Sequence, residues 1–353
     1  MTGSRRLLVT GGAGFIGSNF VHYWCEQYPS DHIAVLDNLS YAGNRSNLAS
    51  LDANTNFRFV QGSISDRPLI EELLNDEAID TVVHFAAESH VDRSILNPGD
   101  FVQTNIVGTF TLLDAFRCYW EARDKPNDYR FCNISTDEVF GSLEDDAPAF
   151  SESTPYAPNN PYSASKASAD HIVRAYFQTY GLPTLTTNCS NNYGPYQFPE
   201  KLVPCVCTSV LTEQPIFIYG DGQSIRDWIH VRDHCTALDK ILSSGKPGET
   251  YNIGGNNEVK NIHLVHKICN LLQELVPNLT VCPHYLIRFV ADRPGHDRRY
   301  AIDATKIQTQ LNWHPSISFE EGLKHTVQWY VEYKDWWLPL LNRNDLTPIH
   351  LKV

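Results

Sequence analysis

"LLVTGGAGFIGSNF", residues 7–20, decides the fold. Leu7, Leu8 and Val9 read as the end of an apolar strand, and an amphipathic helical pattern starts near Gly14. Between them Gly11, Gly14 and Gly17 recur every third residue. Glycines there allow a tight turn and let backbone approach a phosphate, which then sits on the free N–H groups of a helix N-terminus. A glycine triplet alone is weak; the flanking strand and helix make it specific. A second strand, "HIAVLD", ends in Asp37 about twenty residues past Gly17. A carboxylate at that point accepts ribose hydroxyls and repels a 2′-phosphate, so NAD is expected rather than NADP.

Working outward, the same alternation continues. "RRLLVT", "HIAVLD", "FRFVQ", "DTVVHFAA", "YRFCNIST" and "LPTLTTNCS" read as strands, and 14–27, 66–76, 99–121 and 162–180 as helices. Short strands alternating with helices imply an α/β fold with a doubly wound, mainly parallel sheet. From about residue 191 the regularity breaks, and "NNYGPYQFPEKLVP" reads as loop. A strand "PIFIYG" and helices over 232–244 and 261–275 follow, with no repeat and no low-complexity linker.

The 353 residues suffice for a large α/β domain with a substrate-binding appendage, and 42% hydrophobic residues support a sizeable core. A formal charge of −13 argues against nucleic acid and anionic membrane surfaces as partners. An anionic ligand would therefore need a local cluster of Arg and Lys. "MTGSRRLLVTGG" has no apolar signal-peptide core, and no stretch has the length of a membrane span. Nine scattered cysteines without a C-x-x-C pair read as reduced thiols, so a cytoplasmic protein is expected. Cys205-x-Cys207 and His263-x-x-His266 lack matching second halves, and no metal is expected.

Two constellations carry chemistry. In "PYSASKASADH" Tyr162 and Lys166 stand one helical turn apart on one face. A neighbouring ammonium lowers the pKa of a phenol and suits it to take a carbinol proton as hydride leaves. In "ISTDEVFG", residues 134–141, Asp137 and Glu138 follow Thr136 at the end of an apolar strand. Carboxyls in different protonation states can act as base and acid on neighbouring carbons.

The chain to about residue 335 resembles the extended short-chain dehydrogenase/reductases that act on nucleotide sugars, and among them the 4,6-dehydratases. The stretches that carry the likeness are "TGGAGFIGSN", "YAGN", "HFAAESHVDRS", "TNIVGT", "STDEVFG", "PYSASKASADH", "TNCSNNYGPYQFPEKL", "IRDWIHVRDH", "GETYNIGG" and "DRPGHDRRYAID". The Asp-Glu pair and the last segment are the most selective. The resemblance implies a Rossmann-type sheet joined to a smaller, interwoven α/β substrate-binding domain. Residues 1–190, joined by about 228–256, would bind NAD; 191–227 and 257–353 would bind the nucleotide sugar.

Carried over residue by residue, the resemblance makes Tyr162 the base at the C4 hydroxyl, with Lys166 and Thr136 assisting. Glu138 would remove the C5 proton, and Asp137 would protonate the departing C6 hydroxyl. The cofactor would meet Gly11, Gly14, Phe15, Ile16, Gly17, Asp37, Asn38, Ser40, Gly43, Ser63, Ile64, Ala86, Thr104 and Asn192, besides Tyr162 and Lys166. The substrate would meet Glu88, Ser89, Thr136, Asn191, Lys201, Leu202, Phe217, Tyr219, Arg226, Asn261, Arg293 and His296. Arg226 and Arg293 suit bidentate phosphate recognition.

The implied substrate is dTDP-glucose and the product its 4-keto-6-deoxy form; a UDP-linked hexose and 4-epimerisation are the alternatives. An epimerase, a decarboxylase or a non-catalytic NAD sensor on this fold has no need of the acid pair. Two positions depart from the family pattern. Ser63 replaces the Asp that touches the adenine amine, and Phe217 replaces a Pro lining the base pocket. Relatives pair through two long helices, here 99–121 and 162–180, so a homodimer with a four-helix interface is expected.

Overall fold

The computed structural model describes residues 4–341. In chain order its first half contains β1 (Arg6–Thr10), α1 (Phe15–Gln27), β2 (His32–Asp37), β3 (Phe57–Gln61), α2 (Arg67–Asp76) and β4 (Thr81–His84). Next come α3 (Val91–Leu96), α4 (Pro98–Phe101), α5 (Thr109–Glu121), β5 (Arg130–Thr136), α6 (Pro161–Tyr180) and β6 (Thr184–Cys189). The second half contains β7 (Asn191–Tyr193), α7 (Leu202–Leu211), β8 (Ile216–Tyr219), β9 (Ile225–His230) and α8 (Val231–Ser244). It continues through β10 (Thr250–Ile253), β11 (Glu258–Lys260), α9 (Asn261–Leu275), β12 (Ile287–Val290), α10 (Thr305–Leu311), α11 (Phe319–Glu332) and α12 (Lys334–Leu341).

Seven strands form one parallel sheet in the order β10-β6-β5-β4-β1-β2-β3. Residues of α1 and α8 pack on one face and residues of α2, α5 and α6 on the other, giving two apolar cores. Strands covered on both faces are apolar throughout, as in β2, where Ile33 to Leu36 are all buried. The sheet is the doubly wound one expected. Its strand order reverses between β1 and β4, opening a crevice at their carboxyl ends.

A second lobe holds a three-stranded sheet, β11-β9-β7, a two-stranded sheet, β12-β8, and a third core under α7, α9 and α11. Its chain is interrupted: α8 packs on α1, and β10 pairs with β6 before β11 returns to the lobe.

Two differences from the sequence reading have physical causes. Helix α7 starts at Leu202, inside the stretch read as loop, because Pro204 falls in its first turn, where no intrahelical N–H is needed. The helix expected over 99–121 widens into π-helical turns at Val102–Gly108, a distortion that favours functional walls.

His84 ties β4 to its neighbours. Thr109 gives its own proton to the Asn105 carbonyl (2.7 Å), so it accepts from His84 Nε2 (2.9 Å) while Thr10 donates to Nδ1 (2.7 Å). The ring is neutral, and burial, then the Lys166 charge, pushes its pKa down to about 3. A base depressed on folding stabilises the protein above its unfolded pKa of 6.5 and loses that contribution as pH falls below it. Between pH 6.5 and about pH 5 this site costs roughly 2 kcal/mol. His84→Gln is expected to lose that much less over the interval, measured by urea unfolding at each pH.

Candidate active site

The crevice is a groove enclosing about 300 Å³. Its floor is the glycine turn. Gly11 has φ +70°, and a Cβ on Gly17 would lie 2.3 Å from the Gly11 carbonyl oxygen. The Asp37 carboxylate steadies both sides of this floor by accepting from Ala13 N (2.9 Å) and Leu39 N (2.8 Å). Burial pushes its pKa up, and those two N–H groups oppose the rise.

All of the expected cofactor residues line this groove: Gly11, Gly14, Phe15, Ile16, Gly17, Asp37, Asn38, Ser40, Gly43, Ser63, Ile64, Ala86, Thr104, Tyr162, Lys166 and Asn192. Thr104 reaches it from the π-helical turns. Asn105 beside it accepts from Glu88 N (2.8 Å) and donates to Glu88 O (2.9 Å) and Ser165 Oγ (2.8 Å), linking the loop after β4 to α6.

The acid pair lines the same groove. β5 ends at Thr136, whose hydroxyl accepts from Glu138 N (3.3 Å) and so caps the single helical turn Asp137–Phe140. From that turn both Asp137 and Glu138 line the groove. Gly141, at φ +90°, ends it; a Cβ there would meet the Ala157 carbonyl oxygen at 2.4 Å.

Asn160 caps α6 by accepting from Ser163 N (2.9 Å), and Pro161 occupies the first helical position. Tyr162 and Lys166 follow on the face turned to the groove. Lys166 Nζ donates to the Ile134 carbonyl at 2.7 Å. Burial lowers its pKa, while Asp170, one turn further along α6, raises it. Asp170 is itself held by Asn133 (2.8 Å), Ser135 (2.7 Å) and Tyr156 (3.0 Å).

Electrostatics separate the two acids. Burial raises the Asp137 carboxyl well above the usual range, and the charges of Glu138 and Asp227 push it further. Its Oδ2 is buried with no hydrogen-bond partner among the described residues. Burial also raises Glu138, but Arg293, Lys201 and Arg226 pull it back. Of the two, Asp137 is pushed further toward its protonated form, and the three cations favour ionisation of Glu138. Burial pushes the Tyr162 phenol up, with Glu138 adding to the rise and a hydrogen bond from Thr136 opposing it.

The expected substrate residues divide. Glu88, Ser89, Thr136, Asn191 and Lys201 line the groove, with Lys201 Nζ donating to Ser89 O at 2.9 Å. Leu202, Phe217, Tyr219, Arg226, Asn261, Arg293 and His296 are not in its wall. Arg293 and Tyr219 meet instead at Asp92, at 3.2 Å and 2.7 Å. Arg226 is buried over the Tyr300 ring and donates to the Ile225 and Asp297 carbonyls. His296 pairs with Asp292 (2.6 Å), and burial lowers it to about 4. Glu200, passed over in the sequence beside Lys201, also lines the groove, and burial raises its carboxyl to about 7. Its adjacency to Lys201 in "PEKL" was the available signal.

A doubly wound sheet with a Tyr–Lys pair over a glycine-floored groove defines an extended short-chain dehydrogenase/reductase. Comparison with known proteins makes this specific. The family model described as GDP-mannose 4,6 dehydratase matches residues 8–326. The dTDP-glucose 4,6-dehydratase of Xanthomonas campestris pv. campestris (strain B100) is 54% identical over 93% of this chain and 94% of its own. A dTDP-glucose 4,6-dehydratase from Streptomyces venezuelae, solved with NAD bound, is 46% identical with a TM-score of 0.86, covering 95% of this chain and 99% of its own. One from Bacillus anthracis, in complex with NAD, is 44% identical with a TM-score of 0.84, covering 96% and 100%. The chain belongs to the dTDP-glucose 4,6-dehydratase family.

Gly17→Ala is expected to abolish dinucleotide binding, because the added methyl strikes backbone that cannot yield. Calorimetric titration with a dinucleotide checks it; affinity within threefold of the parent would place the phosphates elsewhere.

Proposed function

We propose that this chain dehydrates dTDP-glucose to dTDP-4-keto-6-deoxyglucose, using NAD as a recycled cofactor. The family membership supports the reaction. The observation that carries the assignment of roles is that the acid pair, Tyr162 and Lys166 line one groove. The groove fits NAD: a glycine turn for the pyrophosphate, Asp37 for the ribose, and Lys166 and Tyr162 at the nicotinamide end. Bound there, NAD supplies the hydride acceptor at C4 and the hydride donor at C6.

The protein's residues move the protons. Tyr162 takes the C4 hydroxyl proton, with Thr136 holding that oxygen and the Lys166 ammonium stabilising the phenolate. The C4 ketone acidifies the C5 hydrogen, which Glu138 removes. Asp137 gives its proton to the C6 hydroxyl, which leaves as water. As the hydride returns to C6, Glu138 gives its proton back to C5. The proton left on Tyr162 restores Asp137 by way of solvent, so the enzyme ends the cycle as it began it. In this reading Asn191 and Lys201 meet the substrate from the groove wall. Arg226, Asn261, Arg293 and His296, which lie outside that wall, meet the part of the nucleotide sugar that extends beyond it. Asp92 holds Arg293 near the groove until a diphosphate competes for it.

The lobes divide the labour. Residues 1–190 with about 228–256 hold the cofactor; 191–227 and 257–353 hold the nucleotide sugar. Residues 1–3 and 342–353 of those ranges lie outside the described residues. The division is supported by α8 and β10, which rejoin the large sheet. A cytoplasmic location is supported by nine free thiols. No helix among the described residues is long and apolar enough to cross a membrane. A homodimer through the 99–121 and 162–180 helices is supported by Val102, Val107, Phe110 and Tyr180, which are exposed in the isolated chain.

Glu138→Gln is expected to stop the reaction before C5 deprotonation and Asp137→Asn after it. Each loses about 10²–10⁴-fold in turnover, the range for one general acid or base. Proton NMR in deuterated buffer separates them: no C5 exchange in the first, C5 exchange without dehydration in the second. Rapid C5 exchange in Glu138→Gln removes it from the base role. For the assembly, Phe110→Asp is expected to convert a dimer to monomers by light scattering; an unchanged mass rules out that face.

A further inference from the structure

Helix α12 is absent from the catalytic account, yet it touches both lobes. Trp337 is fully buried in the second lobe's core and donates to the Tyr330 carbonyl at 2.7 Å. Leu340 is buried against Tyr41 and Phe198, two residues that line the groove. Trp336 packs edge-on against Trp329 and Tyr196, with ring centroids 5.0 and 5.8 Å away.

The indole N–H of Trp336 reaches the other lobe and donates to Asn47 Oδ1 at 2.8 Å. Asn47 is 2% exposed, so both ends of its amide need partners. An indole N–H can only donate, so it fixes which end of the amide is the oxygen. The amide nitrogen is thereby turned to the Ala13 carbonyl, which it meets at 3.0 Å. That carbonyl also accepts from Asn44 N (3.0 Å). On the far side of the peptide, Gly14 N donates to Gly11 O at 3.1 Å. The Ala13–Gly14 peptide unit is thus held from both sides, in the middle of the glycine turn.

We propose that α12 is a strap that holds the glycine turn ready for the pyrophosphate, acting through Trp336 and Asn47 as positioning residues. The proposal rests on NAD occupying the groove. Without the strap, Asn47 loses the bond that orients it and the turn must be ordered when NAD binds, which weakens binding without touching the chemistry. Neither residue meets the reacting atoms.

Trp336→Phe keeps an aromatic ring in this packing and removes the donor, along with part of the indole's volume, whose loss would show in stability. One buried hydrogen bond of about 1 kcal/mol corresponds to an affinity loss of about fivefold. The dissociation constant for NAD, measured calorimetrically on the full chain freed of nucleotide, is expected to rise by about that factor. Turnover at saturating NAD and the KM for dTDP-glucose stay unchanged. Asn47→Ala is expected to weaken NAD at least as much, and adding Trp336→Phe to it to cause no further loss, because both act through one relay. Unchanged NAD affinity in Trp336→Phe overturns the proposal, even if its melting temperature falls, since the helix is then only scaffold. Additive losses in the double variant overturn the relay. If the unaltered protein binds no NAD, the cofactor reading fails and the strap with it.

Discussion

Parallel pairing of β1 with both β2 and β4 is the constraint on which the molecule depends. Because neighbouring strands run the same way, every return needs a crossover, and every carboxyl end lies on one edge of the sheet. The crossovers leave β1 in opposite directions along the sheet, so the chain parts at that point and a groove is unavoidable. Onto its rim fall the glycine turn after β1, Asp37 at the end of β2, the loop after β4 and the acid turn after β5. None of these is near the others in sequence. The sheet brings them together, and the second lobe covers them.

Covering the rim makes its ionisable groups work differently. Lys166 has one carbonyl acceptor at 2.7 Å, and Asp170 stands one turn away to balance its charge. Burial raises both adjacent acids and Arg226 opposes it at both, but Asp227 adds to the rise at Asp137 while Arg293 and Lys201 pull back Glu138. The cations that favour an ionised Glu138 come from the second lobe. Lobe packing therefore bears on protonation: two adjacent carboxyls are pushed to different extents because their charged surroundings differ.

What could be read from the sequence was whatever depends on local spacing. The glycine turn, Asp37, the Tyr162–Lys166 helical face and the Thr136–Glu138 run each declare themselves within a few residues, and the doubly wound sheet follows from the same alternation. Hidden from it were contacts whose partners lie far apart. Asp92 meets Tyr219 and Arg293 across separations of 127 and 201 residues. Asp170 lies on the same helix as Tyr162 and Lys166, but its importance comes from Asn133, Ser135 and Tyr156 converging on it, which local spacing does not show. The π-helical turns at Val102–Gly108 carry no marker of their own, since Thr104 and Asn105 suit an ordinary helix equally well. Helix α7 was lost in a Pro- and Asn-rich stretch because composition there describes the turn before it.

The interrupted second lobe follows from the same geometry. A lobe built only after β6 would hang from the sheet by one connection and be free to swing, and the groove it covers would open to water. Here the chain leaves the sheet after β6, returns as α8 and β10, and leaves again. Asp227, on β9 of the lobe, is held by the backbone N–H groups of Gly255 and Asn257 (3.1 and 2.6 Å), just beyond β10. The residue that presses on Asp137 is therefore clamped to the chain where it leaves the sheet that carries Asp137. Two crossings and α12 reaching back to Asn47 tie the lobe to the sheet's domain at several places, a restriction on its independent motion. A site in which a proton must pass between atoms about 3 Å apart requires that restriction, because small misplacements lose the alignment on which proton transfer depends.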